Sequence, residues 1–386
     1  MTTRFGTFFS SPLKLRRLRR FELGVAWGVF FLFLSLSALS AAQPGSSPQA
    51  ILSKIVAQVR RGYQNTSYYA VVADSIFSPR PNRKKGGPLV KTRKIWYASP
   101  NKIRIENSLR GVLVIRRGDK IFLKRGKRWK VRRVPPGANH IEKNDFLQFR
   151  GKPYLNLIAQ NYRVDTTQTR SFLGRKVIVL NIRPKFAGRF AWIFWIDAQT
   201  GLVLRRFQVL VQKQGQRPLF ASTARKITLQ PALPDSLFRV PPAVSKEVPA
   251  RHERHHPRRG MGTEYRNFSD FAKSAPFPIY RPVPLPDGFQ FVRGFRMTRH
   301  HMHMAHSHYS DGILDFSVFQ IQANPKMQRH FLKRMGRGFR KGGEPYLRIA
   351  SVSGERGGFA FFIMGNMPRI WLKKILNTLQ PQNRKN

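Results

Sequence analysis

The segment RKVIVLNIRPKFAGRFAWIFWIDAQTGLVLRRFQVLV, from Arg175 to Val211, is the clearest indication of the fold class in the sequence. It holds three runs rich in β-branched and aromatic residues, separated by segments with Gly, Pro and Asp. Between the last two runs, DAQTG predicts a tight turn, because Gly201 can adopt a positive φ. The stretch therefore predicts three consecutive antiparallel strands.

Similar runs precede this stretch from Ser67 onward, and Gly118 and Asp119 predict the turn of another hairpin. A helix with Ser47 as its cap is predicted before the first strand. The fold class is therefore α+β and mostly antiparallel β. Because so large a sheet must close or be covered, we expect a curved half-barrel over helices. Four aromatic side chains line a ligand cavity in this interpretation, or belong to an ordinary core: Trp96, Trp129, Trp192 and Phe194.

A second, smaller domain follows a change in composition. Residues 241–274 are rich in Pro, His and basic residues and show no periodicity, which is typical of a linker. Beyond them the sequence predicts a small antiparallel sheet, closed by the amphipathic helix NMPRIWLKKILNTL. The predicted divisions are 1–42 for a signal peptide or membrane anchor, 43–240 for the half-barrel, 241–274 for the linker and 275–386 for the small domain.

The net charge and the N-terminal sequence together indicate where the protein is located and which partners to expect. The formal net charge is +53, which would ordinarily suggest nucleic acid as a partner. However, a basic stretch precedes an uncharged run from Leu23 to Ala42, which indicates export by a cleaved signal or an uncleaved anchor. We therefore expect a periplasmic protein that binds no nucleic acid. Its basicity suits an anionic membrane surface, or acidic surroundings.

Motifs for catalysis are not evident, because the sequence shows neither a nucleophile with a base nor paired carboxylates, so no enzyme is predicted. The sharpest anomaly is histidine, since eight of the ten histidines lie in two clusters. In a strand-like run the second cluster could supply a Cu or Zn site, with ligands His301, His303, His306 and His308. An exposed loop inserted before a strand, and a pH sensor, are the alternatives. No cofactor is otherwise expected.

Three segments of the sequence resemble the MucB/RseB family, regulators of the sigma-E envelope-stress response. They are LRGVLVIRRGDKIFL, then FLGRKVIVLNIRPK with FAWIFWIDAQTGLVLRRFQVL, and in the small domain PVPLPDGFQFVRG with HYSDGILDFSVFQIQ and the closing strand and helix. The positions that carry the resemblance are structural: Gly118, Asp197, Gly201, Pro286, Gly288, Phe289, Tyr309, Ser310, Asp311 and Gly312.

The resemblance implies a LolA-like half-barrel and a small C-terminal sheet domain. It further implies that the protein binds the periplasmic segment of a single-span anti-sigma factor and shields it from proteolysis. Lipopolysaccharide or lipoprotein acyl chains would release that segment. A lipid or lipoprotein carrier of the LolA kind is the first alternative, and a His- and Met-rich metal-binding periplasmic protein is the second.

Overall fold

The computed structural model describes residues 47–77, 88–107, 111–133, 152–212, 215–242, 244, 263–299, 302–339 and 349–382. These residues belong to one compact unit, Ala42–Asn386. The predicted signal or anchor, residues 1–42, lies outside the described residues. Within the described ranges, no helix is long and apolar enough to cross a membrane.

The described ranges form five α-helices and nineteen strands. The helices are α1 (Pro48–Asn65), α2 (Lys152–Asn161), α3 (Phe268–Ser274), α4 (Pro325–Phe339) and α5 (Arg369–Asn377). The strands of the first part are β1 (Tyr68–Ile76), β2 (Leu89–Ala98), β3 (Lys102–Asn107), β4 (Val112–Arg117), β5 (Lys120–Arg125), β6 (Arg128–Arg133), β7 (Tyr162–Phe172), β8 (Arg175–Pro184), β9 (Phe190–Asp197), β10 (Val203–Gln212) and β11 (Gly215–Leu229). Those of the second part are β12 (Glu264–Tyr265), β13 (Ile279–Pro282), β14 (Gln290–Arg299), β15 (Met302–Ser310), β16 (Asp315–Gln322), β17 (Ala350–Arg356), β18 (Phe359–Gly365) and β19 (Leu379–Gln382).

The first eleven strands form one antiparallel sheet in the order β6-β5-β4-β3-β2-β1-β11-β10-β9-β8-β7. The edge strands β6 and β7 do not pair with each other, so the sheet is open and not a closed barrel. The prediction of an antiparallel sheet covered by helices is confirmed. The predicted hairpin turn is also present, with Gly118 at a φ of 57° between β4 and β5.

Helix α1 covers one face of this sheet, called here the helix face. The predicted cap is formed, because the Ala50 amide donates to Ser47 Oγ over 3.2 Å. Leu52 and Val59 are fully buried beneath the helix. The Tyr97 hydroxyl donates to the Tyr63 carbonyl at the end of α1 over 2.6 Å, which places Tyr97 of β2 on this face.

The second part of the chain forms a six-stranded antiparallel sheet in the order β12-β14-β15-β16-β18-β17, with a separate pair formed by β13 and β19. Helices α3 and α5 pack on one of its faces and bury Phe271, Leu372 and Ile375 in an aromatic-rich core. This confirms the predicted smaller antiparallel sheet, and its closing helix is α5.

Three local expectations differ from the structure. The predicted linker is not irregular throughout, since its residues from Glu264 onward form β12 and α3. The buried side chain of Phe271 packs this segment against the small sheet. The histidine tract expected as an inserted loop is strand β15 from Met302 onward, paired with β14 and β16 on its two sides. Helix α5 ends at Asn377, so Leu379 begins β19 and does not extend the apolar face of the helix.

Candidate functional site

The two sheets meet at a buried ion pair between Arg189 and Asp311. Arg189 precedes β9 of the large sheet, and Asp311 follows β15 of the small sheet. The guanidinium Nη1 lies 2.7 Å from Asp311 Oδ2, and both side chains are almost fully buried, at 2% and 0% exposure. The Tyr162 hydroxyl donates to the same carboxylate oxygen over 2.9 Å. Residues from both sheets therefore converge on one carboxylate.

The other oxygen of Asp311 organises its own turn. Oδ1 accepts the backbone amides of Ile313 at 2.9 Å and Leu314 at 2.7 Å. Burial raises the pKa of the Asp311 carboxyl, and the Arg189 guanidinium, these two amides and the Tyr162 hydroxyl all act against that rise. The carboxylate thus has partners on both oxygens, as a buried charge requires.

Asn161, the last residue of α2, makes a second set of hydrogen bonds at the junction. Its Nδ2 donates to the Gly288 carbonyl over 2.9 Å and to the Asp311 carbonyl over 3.1 Å. Arg189 Nη2 also donates to the Asp287 carbonyl, next to Gly288. The turn before β14 and the turn after β15 are therefore both held by residues of the first part of the chain.

Gly312 allows a close approach of the two backbones at this junction. Its φ is 104°, and a Cβ atom there would lie 2.6 Å from the backbone nitrogen of Ile158 in α2. Ser310 Oγ accepts the Gly312 amide over 2.9 Å and so shapes the turn. The Ser-Asp-Gly element, noted in the sequence only as part of a family resemblance, is thus one part of the contact between the two sheets.

Most of the other residues that carry the family resemblance stabilise turns. Asp197 Oδ1 accepts the Thr200 amide over 2.7 Å, and Arg175 donates to Oδ2. Burial acts to raise the pKa of Asp197, but these donors outweigh it and hold the pKa below its ordinary value. Near the junction, Pro286 accepts the Phe289 amide over 3.0 Å, and the Phe289 ring lies 5.2 Å from the Arg189 guanidinium.

A small cavity lies between α1 and the helix face. It has a volume of about 40 Å³ and is lined by residues that include Tyr63, Tyr68, Arg93 and Ser222. Asp74 pairs with Arg93 at 2.7 Å and accepts the Ser222 hydroxyl over 2.7 Å, so the lining is partly polar. The cavity has room for a few water molecules and is far below the roughly 300 Å³ of a typical ligand pocket.

The four aromatic residues predicted to line one cavity lie on two faces of the sheet. Trp192 and Phe194 are buried on the helix face, with ring centroids 5.6 Å apart. Trp96 and Trp129 lie on the opposite face and pack against a cluster that contains Phe238 of a short 3-10 helix, Asp235–Phe238. Strand alternation explains the separation, because Trp96 neighbours Tyr97, which points to the helix face. The structure therefore does not assemble these four side chains into one lining.

The predicted metal ligands are also separated by strand alternation. His306 and His308 share one face of β15, whereas His303 points to the other face, where its ring lies 6.3 Å from that of Phe277. His301 lies outside the described residues. Among the residues that are described, no group of three or more His, Cys, Asp or Glu is arranged to hold a metal ion. The four-histidine site remains a prediction.

His308 instead takes part in the junction. Its Nε2 lies 3.4 Å from the Tyr154 hydroxyl of α2 and 3.6 Å from Asp315 Oδ1. Sequence reasoning did not identify Tyr154, Asn161, Tyr162 or Arg189, which all come from the first part of the chain. Tyr154 lies 154 positions from His308, and the other three lie more than 100 positions from Asp311, so no local sequence pattern marks them as partners.

An open antiparallel sheet with helices on one face, joined to a smaller antiparallel sheet, defines a mostly antiparallel α+β protein. Residues 115–233 match the family model described as the MucB/RseB N-terminal domain. The resemblance to the MucB/RseB family noted in the sequence is therefore confirmed over residues 115–233. The match runs from β4 to the segment after β11.

Solved structures with a similar arrangement include MucB bound to the periplasmic part of MucA. It is 14% identical, with a TM-score of 0.45, over 86% of this chain and 99% of that one. The Pseudomonas aeruginosa MucA/MucB complex gives the same identity and TM-score over 86% of this chain and 100% of that one. A LolA superfamily protein from Nitrosomonas europaea is 11% identical, with a TM-score of 0.23, over 51% of this chain and 99% of that one. No curated protein sequence matches the chain significantly.

Proposed function

We propose that this protein is a non-catalytic periplasmic regulator that binds the extracytoplasmic segment of a single-span anti-sigma factor and protects it from proteolysis. The observation that carries the proposal is the family match over residues 115–233. Support also comes from the relatives, since MucB was crystallised with the periplasmic part of MucA. The junction adds a physical reason, because it holds two sheets together so that one partner can contact both.

Release of the partner would follow from differential binding. A ligand that binds more tightly to one arrangement of the protein shifts the population towards that arrangement. If the partner prefers the other arrangement, its apparent affinity falls by the same coupling free energy. We propose an anionic amphiphile as this ligand, of the lipopolysaccharide or lipoprotein kind, because the outer part of the large sheet combines apolar and cationic side chains.

That surface, called here the basic hairpin surface, lies on β3 to β6. One row across the strands runs Ile105, Val114, Leu123 and Lys130, in directly opposite pairs. The neighbouring row ends in Ile121 and Arg132. The aliphatic members are half-buried, whereas Lys130 and Arg132 are exposed on the edge strand. An acyl chain suits the aliphatic rows, and a phosphate or carboxylate headgroup suits the exposed cations.

The first experiment identifies the partner. The tagged mature protein is recovered gently from its native envelope, and bound proteins and lipids are both identified by mass spectrometry. We expect a single-span protein with a cytoplasmic sigma-binding domain. The purified protein should then slow digestion of that partner's periplasmic segment. Recovery of lipid or lipoproteins without such a protein would contradict the proposal and favour a carrier.

A second experiment tests the ligand separately. Addition of anionic amphiphile should release the partner segment from the wild type, and Lys130→Glu with Arg132→Glu should reduce this release. The matched control is Lys54→Glu with Lys373→Glu, which changes the net charge equally at exposed positions on α1 and α5. Equal effects of the two double variants would show that overall charge, and not the basic hairpin surface, is responsible.

A further inference from the structure

Strands β14 and β15 place three methionines and one histidine together on the face of the small sheet opposite the Phe271 core. Met297 and Met304 are directly opposite each other in the strand register. Met302, Met304 and His306 alternate along β15, so they share this face. Directly opposite Cβ atoms lie about 5 Å apart, and successive same-face residues about 7 Å apart. All four side chains are half-buried and therefore reachable from solvent.

The neighbours of His306 fix the orientation of its ring. The ring is stacked between Phe319 at 4.2 Å and Phe295 at 5.7 Å, which lie on the strands to either side of β15. Because both flanks are covered by aromatic rings, the edges of the imidazole point along the strand. Nε2 lies 3.0 Å from Ser317 Oγ, and Ser317 is opposite His308. Nδ1 lies on the other edge of the ring, and Met304 is the preceding residue on the same face of β15.

This arrangement places one imidazole beside three thioethers. The bond to Ser317 orients the ring in the way that outer contacts orient metal-bound histidines. Methionine side chains have three rotatable bonds, so the sulfur atoms of Met297, Met302 and Met304 can approach a single bound ion.

We propose that Met297, Met302, Met304 and His306 bind one soft monovalent metal ion, Cu(I). Thioether and imidazole donors select Cu(I), whereas Mg²⁺ and Ca²⁺ require oxygen ligands. All four donors are neutral, and the nearby Arg293 adds positive charge, so a divalent ion is less well accommodated than a monovalent one. The site differs from the four-histidine set, because His303 is on the other face and His308 faces α2.

The test uses the full mature protein with Ag(I), a redox-inert probe for Cu(I), and with Cu(I) itself in anaerobic competition against a coloured chelator. We expect one ion per chain for the wild type and at least about tenfold weaker binding for Met304→Leu. Met297→Leu is a second variant with the same expectation, and Leu for Met is a volume-conserving change that leaves the fold intact. Circular dichroism of each variant confirms folding.

Two controls locate the ligands. Met364→Leu changes a methionine two strands away on the same sheet and should leave the affinity unchanged. His300→Ala with His301→Ala should also leave it unchanged. In protein labelled with ¹³C at the methionine methyl groups, Ag(I) should shift the resonances of Met297, Met302 and Met304 and not that of Met364.

Three outcomes would overturn the proposal: unchanged affinity in both leucine variants of the cluster, loss of binding only when His300 and His301 are replaced, or tighter binding of Zn(II) than of Ag(I). None of these measurements involves the anti-sigma partner. The metal site can therefore fail while the proposed regulatory function stands, and the reverse also holds.

Discussion

At the residue scale, Asp311 is the most consequential side chain at the junction. It accepts hydrogen bonds from Arg189 and Tyr162 on one oxygen and from two backbone amides on the other. Replacing one partner of a buried ion pair leaves the other charge without compensation in a medium of low polarity. The stability of the protein should therefore depend on the charge of Asp311 and not only on its shape.

Asp311→Asn keeps the size of the side chain and removes its charge. We expect a loss of about 3 kcal/mol in the free energy of unfolding, measured by urea denaturation. The control is Asp235→Asn, which breaks the exposed pair with Lys102 and should have a much smaller effect. Similar losses in the two variants would contradict a special role for the buried pair.

Gly201 and Gly118 illustrate two different reasons why a position in a turn requires glycine. Both have a positive φ, 77° and 57°. A Cβ atom at Gly201 would lie 2.5 Å from the carbonyl oxygen of Gln58 in α1, whereas nothing lies within 4 Å at Gly118. Gly118→Ala should cost only the backbone strain of about 1 kcal/mol. Gly201→Ala should cost clearly more, because α1 must also move away from the sheet.

Thermal and urea unfolding of the two alanine variants measure this difference. Equal losses of stability in the two variants would contradict this prediction, because they would mean that α1 does not approach Gly201 as closely as the structure shows. Asp197, Gly201 and Gly118 were all identified from the sequence, because a turn depends on residues a few positions apart. The close approach of α1 to Gly201 was not identifiable, since Gln58 lies far away in the sequence.

At the scale of elements, the strands were more predictable than the segments between them. Alternation of apolar residues and the glycines at the turns mark β8, β9 and β10 directly. Helix α3 was missed because it has only 7 residues and follows a Pro- and His-rich region. Strand β15 was read partly as a loop, because its histidines and methionines do not show the usual β-branched pattern.

Helix α3 allows a test of where the small domain begins. Phe271 is fully buried and its ring stacks on that of Phe291 at 5.9 Å. Phe271→Ala should lower the free energy of unfolding by about 3 to 5 kcal/mol, as expected for a buried phenylalanine. Phe268→Ala changes a half-buried neighbour in the same helix and should cost less.

Urea denaturation of both phenylalanine variants provides the measurement. Little loss for Phe271→Ala would mean that this segment is a linker, as the composition suggested, and not part of the small domain. A large loss of stability would show that the small domain begins before Phe268.

At the scale of the whole molecule, the net charge of +53 governs long-range behaviour. We expect binding to anionic phospholipid vesicles in a sedimentation assay, falling steeply between about 0.02 M and 0.15 M salt, because exposed charges are screened beyond about 10 Å at 0.1 M. Neutral vesicles are the control and should bind weakly at both concentrations. Binding that does not change with salt would indicate insertion of apolar groups and contradict this prediction.

Features that depend on near neighbours could be predicted from the sequence: the antiparallel strands, their glycine turns, the cap of α1 and the presence of a second smaller sheet. Those features follow from the alternation of side chains along a strand and from the backbone freedom of particular residues.

The contacts between distant residues became evident only from the folded structure. Asp311 is buried against Arg189 and Tyr162 across more than 100 positions, and the histidine cluster is divided between two faces by the register of β15. The physical reason is that a buried charge is stabilised by whichever partners the packing of two sheets brings within hydrogen-bond distance. No local pattern in the chain encodes that choice.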